Sequence, residues 1–265
     1  MIFVEYAFVF ILGLIIGSFN NVCIYRIPLG KSIVSPPSAC TSCGKRLTAP
    51  DLVPVFSYIF LRGRCRHCGS PISFRYPLIE FMTAVIYTAI FAKYGLSVPF
   101  VAFIYLITIL ISIFLIDIDH QIIPDELVIA GIVGGIVLTV YNIFYPQSVI
   151  YGDGRWWTPL AGFFSGSVFL LAVALLGSLL YKTNEAMGMG DVKLMASIGL
   201  FLGWKLTLFA LLVSIILAGV VSIILIAFKI RKRKDAIPFG PFIVIGTFVA
   251  IMWGWNIINW YVGLL

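Results

Sequence analysis

Long apolar runs separated by short polar breaks dominate the chain. They fall at about 4–24, 77–94, 98–118, 126–145, 158–181, 190–204, 206–228 and 238–262, most of them near the roughly twenty residues a helix needs to cross a bilayer. The sixth run is short and glycine-bearing. The first has no basic stretch ahead of it and no small-residue cleavage site after it, so it reads as a retained helix and not a signal peptide. The pattern predicts an all-α polytopic membrane protein of about eight transmembrane helices. One segment breaks it: from Arg26 to Tyr76 the chain carries Pro28, Pro36, Pro37, Pro50, Pro54 and Pro71 among polar turns, which predicts a compact, loop-rich, soluble-like insert.

Composition agrees with the pattern. Of 265 residues, 61% are hydrophobic and only 11% charged, too few charges to coat a soluble surface of this size. The net charge of +7 is informative mainly through its placement. No basic and aromatic residues interleave on a soluble surface, so nucleic acid is not an expected partner; the lipid bilayer is. The segment after the first run holds Arg26, Lys31, Lys45, Arg46, Arg62, Arg64, Arg66 and Arg75. Lys182, Lys193, Lys229, Arg231, Lys232, Arg233 and Lys234 fall on the same side of an eight-span path, leaving Lys93, Arg155 and Lys205 opposite. That split of 15 to 3 predicts that the insert faces the cytoplasm and that both termini lie outside.

Two acidic motifs reach the cytoplasmic edge on that path. Asp117 ends the third run within IDIDHQIIPDE, and Asp191 opens the sixth within GMGD. An ionisable residue this close to hydrocarbon is a functional candidate by default. Asp117 lies at a helix C-terminus and Asp191 at a helix N-terminus, where the fields of the helix ends differ in sign. Two carboxyl groups held together in unlike surroundings share one proton and can activate a water molecule against an amide. The alternatives are helix caps or an ion-binding pair in a transporter or channel. The insert carries Cys40-Thr41-Ser42-Cys43 and Cys65-Arg66-His67-Cys68, each followed by glycine. Two such knuckles fit a tetrahedral structural zinc site made by Cys40, Cys43, Cys65 and Cys68, and the insert is too small to fold on an apolar core alone. Disulfides are disfavoured in a reducing cytoplasm. His67 reads as a surface residue and Cys23 as a packing residue.

Other polar residues stand near the membrane edge. Asn20 and Asn21 close the first run and need partners, as helix–helix contacts or as the wall of a ligand site. Glu80 opens the second run, as a cap or as a contact for a cationic group. Asp125 reads as the cap of the fourth helix, Lys193 as a neutraliser of a nearby carboxylate. We identified no internal repeat.

Six blocks, in order, carry a family resemblance: GSFNNVCIYRIP, the CTSC and CRHC pair, YPLIE, DIDHQIIPD, GMGDVK and PFGPF. Together they resemble the bacterial type IV prepilin peptidases, bifunctional leader peptidase/N-methyltransferases of the GxGD aspartic class. The resemblance implies an inner-membrane enzyme that removes a short basic leader from prepilins or pseudopilins after a glycine, at the cytoplasmic face. It then implies methylation of the new N-terminal residue, usually phenylalanine, with S-adenosylmethionine as donor. On that basis Asp117 and Asp191 are the expected catalytic residues, and Asn20, Asn21, Arg26 and Glu80 the expected neighbourhood of the methyl donor. Asp119, Asp125 and Glu126, with Glu185, are the acids available for a basic leader. Residues 1–97, including the insert at 26–76, are expected to form the methyltransferase part, and residues 98–265 a six-helix peptidase part. A peptidase without methyl transfer is the narrower alternative.

Overall fold

The computed structural model describes residues 2–181, 188–230 and 237–264. Lys182, Glu185 and the basic residues at 231–234 lie outside the described residues. Among those described there is no strand; helices account for the fold, in two compact units, Met1–Phe100 and Val101–Leu265. Among the described residues, six helices are long and apolar enough to cross a membrane.

The first unit is built on an antiparallel helix pair, α1 (Ile2–Arg26) and α3 (Arg75–Tyr94). Their contact is a Gly-x-x-x-Gly face, the small-residue packing that lets helices approach closely in lipid. A Cβ on Gly13 would lie 2.5 Å from the Cα of Ala84, and one on Gly17 would lie 2.6 Å from the Cα of Glu80. Further along the same seam Asn21 donates Nδ2–H to the Tyr76 carbonyl at 3.1 Å. Between these helices the insert contains two short 3₁₀ turns and α2 (Phe56–Phe60). With Arg75, Glu80 and Lys93 along its length, α3 is not one of the six spanning candidates.

The second unit contains most of α4 (Val98–His120), then α5 (Asp125–Phe144), the single turn α6 (Ser148–Tyr151), α7 (Thr158–Tyr181), α8 (Met189–Ala227) and α9 (Gly240–Val262). The sequence predicts separate spans at 190–204 and 206–228, and α8 is accordingly two helical arms that meet at Gly203. It is not one straight rod. Gly203 adopts φ 69°, ψ 171°, a conformation open to glycine. A Cβ on Gly166 of α7 would lie 3.4 Å from Met195 Cβ and 2.9 Å from Thr207 Cγ2. In a straight helix those two residues would stand about 18 Å apart along the axis, so the chain folds back at Gly203. Small residues set the other contacts too: Gly135 of α5 meets Leu200, Gly246 of α9 meets Ala210 and Ser214, and Gly162 of α7 meets the backbone of Gly199 and Gly203.

Candidate active site and metal centre

Three loop-to-helix junctions bring the acidic residues of the second unit together. Asp117 lies in the last turn of α4, where its carbonyl accepts the Gln121 amide at 2.9 Å and closes the helix. Asp191 is the third residue of α8, its amide bonded to the Gly188 carbonyl at 3.1 Å. The Ile123-Pro124 corner between α4 and α5 packs on the start of α8: a Cβ on Gly190 would lie 2.9 Å from the Cβ of Ile123. This backbone approach explains why a glycine precedes the aspartate. Both side chains are buried, at 5% and 8% exposure, and the two carboxyl groups lie within electrostatic range of each other.

The third junction was not legible as part of the site. In PFGPF the prolines read as an ordinary helix start. The structure places Gly240, the first residue of α9, against Asp117. Its N–H, one of the unpaired donors of a helix N-terminus, donates to the Asp117 carboxylate. A Cβ on Gly240 would lie 2.5 Å from Asp117 Oδ2 and 3.2 Å from its Cγ. Asp117 is thus held from a third helix, while Asp191 Oδ1 is buried without a hydrogen-bond partner. One held carboxylate beside one with an open oxygen is an arrangement suited to orienting a water molecule and exchanging protons with it. The signal in the sequence was a glycine between two prolines at the mouth of an apolar helix.

Of the other acids, Asp119 and Glu126 are exposed. Asp125 forms an ion pair with Lys193 at 2.8 Å. It does not cap α5: Pro124 is the N-cap, and Asp125 and Glu126 lie in the first turn.

In the first unit, Asn20 and Glu80 are buried at 1% and 8% exposure. Both polar atoms of the Asn20 side chain lack a partner, which is costly without a ligand or water to satisfy them. Glu80 does not cap α3; its Oε2 accepts the Val55 N–H at 2.7 Å, and Ser18 also donates to the carboxylate. The Arg26 guanidinium is engaged by the insert, donating to the carbonyls of Ser32 at 2.9 Å and Pro36 at 2.7 Å.

The cysteines converge. Their four Sγ atoms lie within 4.8 Å of one another, with Cys40 and Cys68 at 3.9 Å. Zinc–sulfur bonds of about 2.3 Å in a tetrahedron put sulfurs about 3.8 Å apart, so the set is of the right size and chemistry for such an ion. Hydrogen bonds from the amides of Cys43 and Ser42 bring the Cys40 thiol down to about 6. The Lys45 amide pulls Cys43 the same way, yet loss of water and the sulfurs of Cys40 and Cys68 prevail and push it up to about 11. A divalent cation would neutralise thiolates packed this closely. The knuckles also repeat each other 25 residues apart, a correspondence carried by the backbone hydrogen bonds more than by residue identity. Cys40 N–H donates to Lys45 O, Gly44 N–H to Cys40 O and Leu47 N–H to Ser38 O. Cys65 to Ser70, Gly69 to Cys65 and Ile72 to Gly63 match them, all at 2.8–2.9 Å. Gly44 and Gly69 supply the positive φ, at 69° and 70°, that ends each knuckle. His67 is exposed.

Comparison with known proteins agrees with this layout. Residues 11–94 match the profile of the bacterial peptidase A24 N-terminal domain, and residues 104–223 that of the type IV leader peptidase family. A prepilin leader peptidase/N-methyltransferase of Pseudomonas putida is 33% identical, over 92% of this chain and 89% of its own. Proteins of the same name from Aeromonas hydrophila and Bacillus subtilis are each 32% identical, over 97% and 96% of this chain and 93% and 96% of theirs. No solved structure matches. The chain belongs to the type IV leader peptidase family.

Proposed function

We propose that this chain is a membrane-bound aspartic endopeptidase and N-methyltransferase. It cuts the basic leader from type IV prepilins or pseudopilins after a glycine and methylates the new N-terminus. Family membership across nearly the whole chain carries this reading. The carboxyl pair supplies the chemistry: Asp117, held by the Gly240 amide, and Asp191, with its open oxygen, share one proton across a water molecule. The ionised member takes a proton from the water, and the other gives its proton to the scissile carbonyl oxygen.

The finer points belong to the same proposal. Eight spans arise when α3 and both arms of α8 are counted with the remaining long helices. The 15 to 3 distribution of Lys and Arg then directs the insert and both aspartates to the cytoplasmic face of the inner membrane. Zn²⁺ is the ion for Cys40, Cys43, Cys65 and Cys68; with four thiolates it has no open position and serves structure alone. S-adenosylmethionine supplies an activated methyl group. Asn20, with its unpaired polar atoms, Asn21 and Glu80 line the part of residues 1–97 where we place methyl transfer. Arg26 takes part only by fixing the insert. Residues 98–265 form the peptidase part, and Asp119, Glu126 and to a smaller degree the ion-paired Asp125 attract the basic leader.

The test incubates the purified full chain with a prepilin, with and without S-adenosylmethionine, and reads product masses. Loss of the leader in both, with an added methyl only when the donor is present, is expected. An intact prepilin under both conditions refutes the proposal.

A further inference from the structure

The insert reads from its sequence as soluble, yet it exposes a set of large apolar side chains in register. Leu52, Phe56, Ile59 and Phe60 are 44%, 52%, 62% and 82% exposed. Phe56, Ile59 and Phe60, spaced three and one, share a single face of α2, and Leu52 ends the 3₁₀ turn just before it. The opposite side of α2 is occupied: the Tyr58 ring packs edge-on against Phe74 at 6.1 Å and covers Gly63.

The depth of this face follows from hydrogen bonding. Val55, immediately before α2, donates its N–H to Glu80 at 2.7 Å, in a positive-φ conformation (61°) unusual for a β-branched residue. Glu80 lies five residues inside α3 and beside Gly17 of α1. Gly17 is nine residues before the end of α1 at Arg26, about 13 Å along its axis. The insert therefore turns back alongside the spanning helix instead of projecting away from it. Residues 27–74 also carry six Lys and Arg against the single acid Asp51. Arg62 and Arg64, both exposed, follow α2 directly.

We propose that α2 is an interfacial helix. Its Phe56–Ile59–Phe60 face, with Leu52 of the preceding turn, lies at the boundary between headgroups and hydrocarbon, and Arg62 and Arg64 contact the phosphates of anionic lipids. An apolar face bordered by basic residues is the pattern of a segment lying in the membrane plane, and anionic headgroups complement the excess positive charge. The proposal rests on the membrane helices and not on the reaction, so its outcome is independent of the peptidase reading.

The test replaces Phe60 with p-benzoylphenylalanine in the full chain, placed in nanodiscs of equimolar phosphatidylglycerol and phosphatidylcholine. The sample is irradiated and intact masses are read; the same probe at Lys45, exposed on the first knuckle, is the comparison. Single-lipid adducts at position 60 and few at 45 are expected. Phosphatidylglycerol should exceed phosphatidylcholine among them about fivefold, falling toward parity in R62Q/R64Q. Adducts at 60 confined to protein, to a second copy or to water-quenched product overturn the proposal. So do lipid adducts no commoner at 60 than at 45, or a phosphatidylglycerol share no larger than its mole fraction.

Discussion

Gly240→Ala offers a sharp test of how the carboxyl pair is held. The added Cβ would lie 2.5 Å from Asp117 Oδ2, whereas ordinary contact begins near 3.4 Å. The carboxylate, or the start of α9, must move by about 0.9 Å. The Gly240 N–H survives the substitution, so only position is perturbed. A misplacement of about 1 Å at a reacting group can cost about 100-fold in rate, or about 2.7 kcal/mol of transition-state stabilisation. At Gly190 the new Cβ would stand 2.9 Å from Ile123 Cβ, a smaller overlap against a side chain that does not react, and about tenfold is expected. A Cβ on Gly219 of α8 would meet nothing within 4 Å, and alanine there should be silent or slightly stabilising through helix propensity. The assay is kcat/KM for cleavage of a prepilin in detergent micelles, with thermal unfolding followed in parallel. Parental kcat/KM in G240A, or an equal loss in G219A, refutes the reasoning.

Asp117→Asn and Asp191→Asn should each lower cleavage by about 10³-fold or more while a pre-cut pilin N-terminus is still methylated; loss of both activities together would contradict the division at residue 97. Cys43→Ser should drop bound zinc below one per chain by elemental analysis and speed amide exchange across residues 38–72, and an unchanged metal content would refute the four-thiolate site. D119N/E126Q should raise KM for a basic leader more than it lowers kcat, with D125N alone nearly neutral because Lys193 already engages that carboxylate; equal kcat/KM for basic and neutral leaders in the parent enzyme would remove the idea.

The apolar pattern carries most of the fold because lipid rewards uniform hydrophobicity over a set length. Predicted runs at 98–118, 126–145 and 158–181 correspond to Val98–His120, Asp125–Phe144 and Thr158–Tyr181. Hydrophobicity does not say which face meets which, because in lipid that choice falls to small residues at particular registers. Gly13 and Gly17, Gly135, Gly162 and Gly246 therefore went unread as contacts, although each is visible in the chain. The break at Gly203 falls within two residues of the boundary between the runs at 190–204 and 206–228. Asp117 and Asp191 stood out as charges between apolar runs. The group that steadies Asp117 did not, because a backbone N–H leaves no mark in a one-letter code. The knuckles were legible from cysteine spacing; the depth of α2 was not, since it depends on one hydrogen bond between Val55 and Glu80.

Where α7 crosses the first arm of α8, Gly162 rests on Gly199 and Gly203 with no side chain between them. Sliding either helix by one residue would drive a larger group into that bare crossing, so the two are keyed like a bolt in its detent. Asp191 is eight residues from Gly199 on the same arm, about 12 Å along it. The height of that carboxyl along the bundle is thus set a full two turns away, by glycines that carry no functional group of their own.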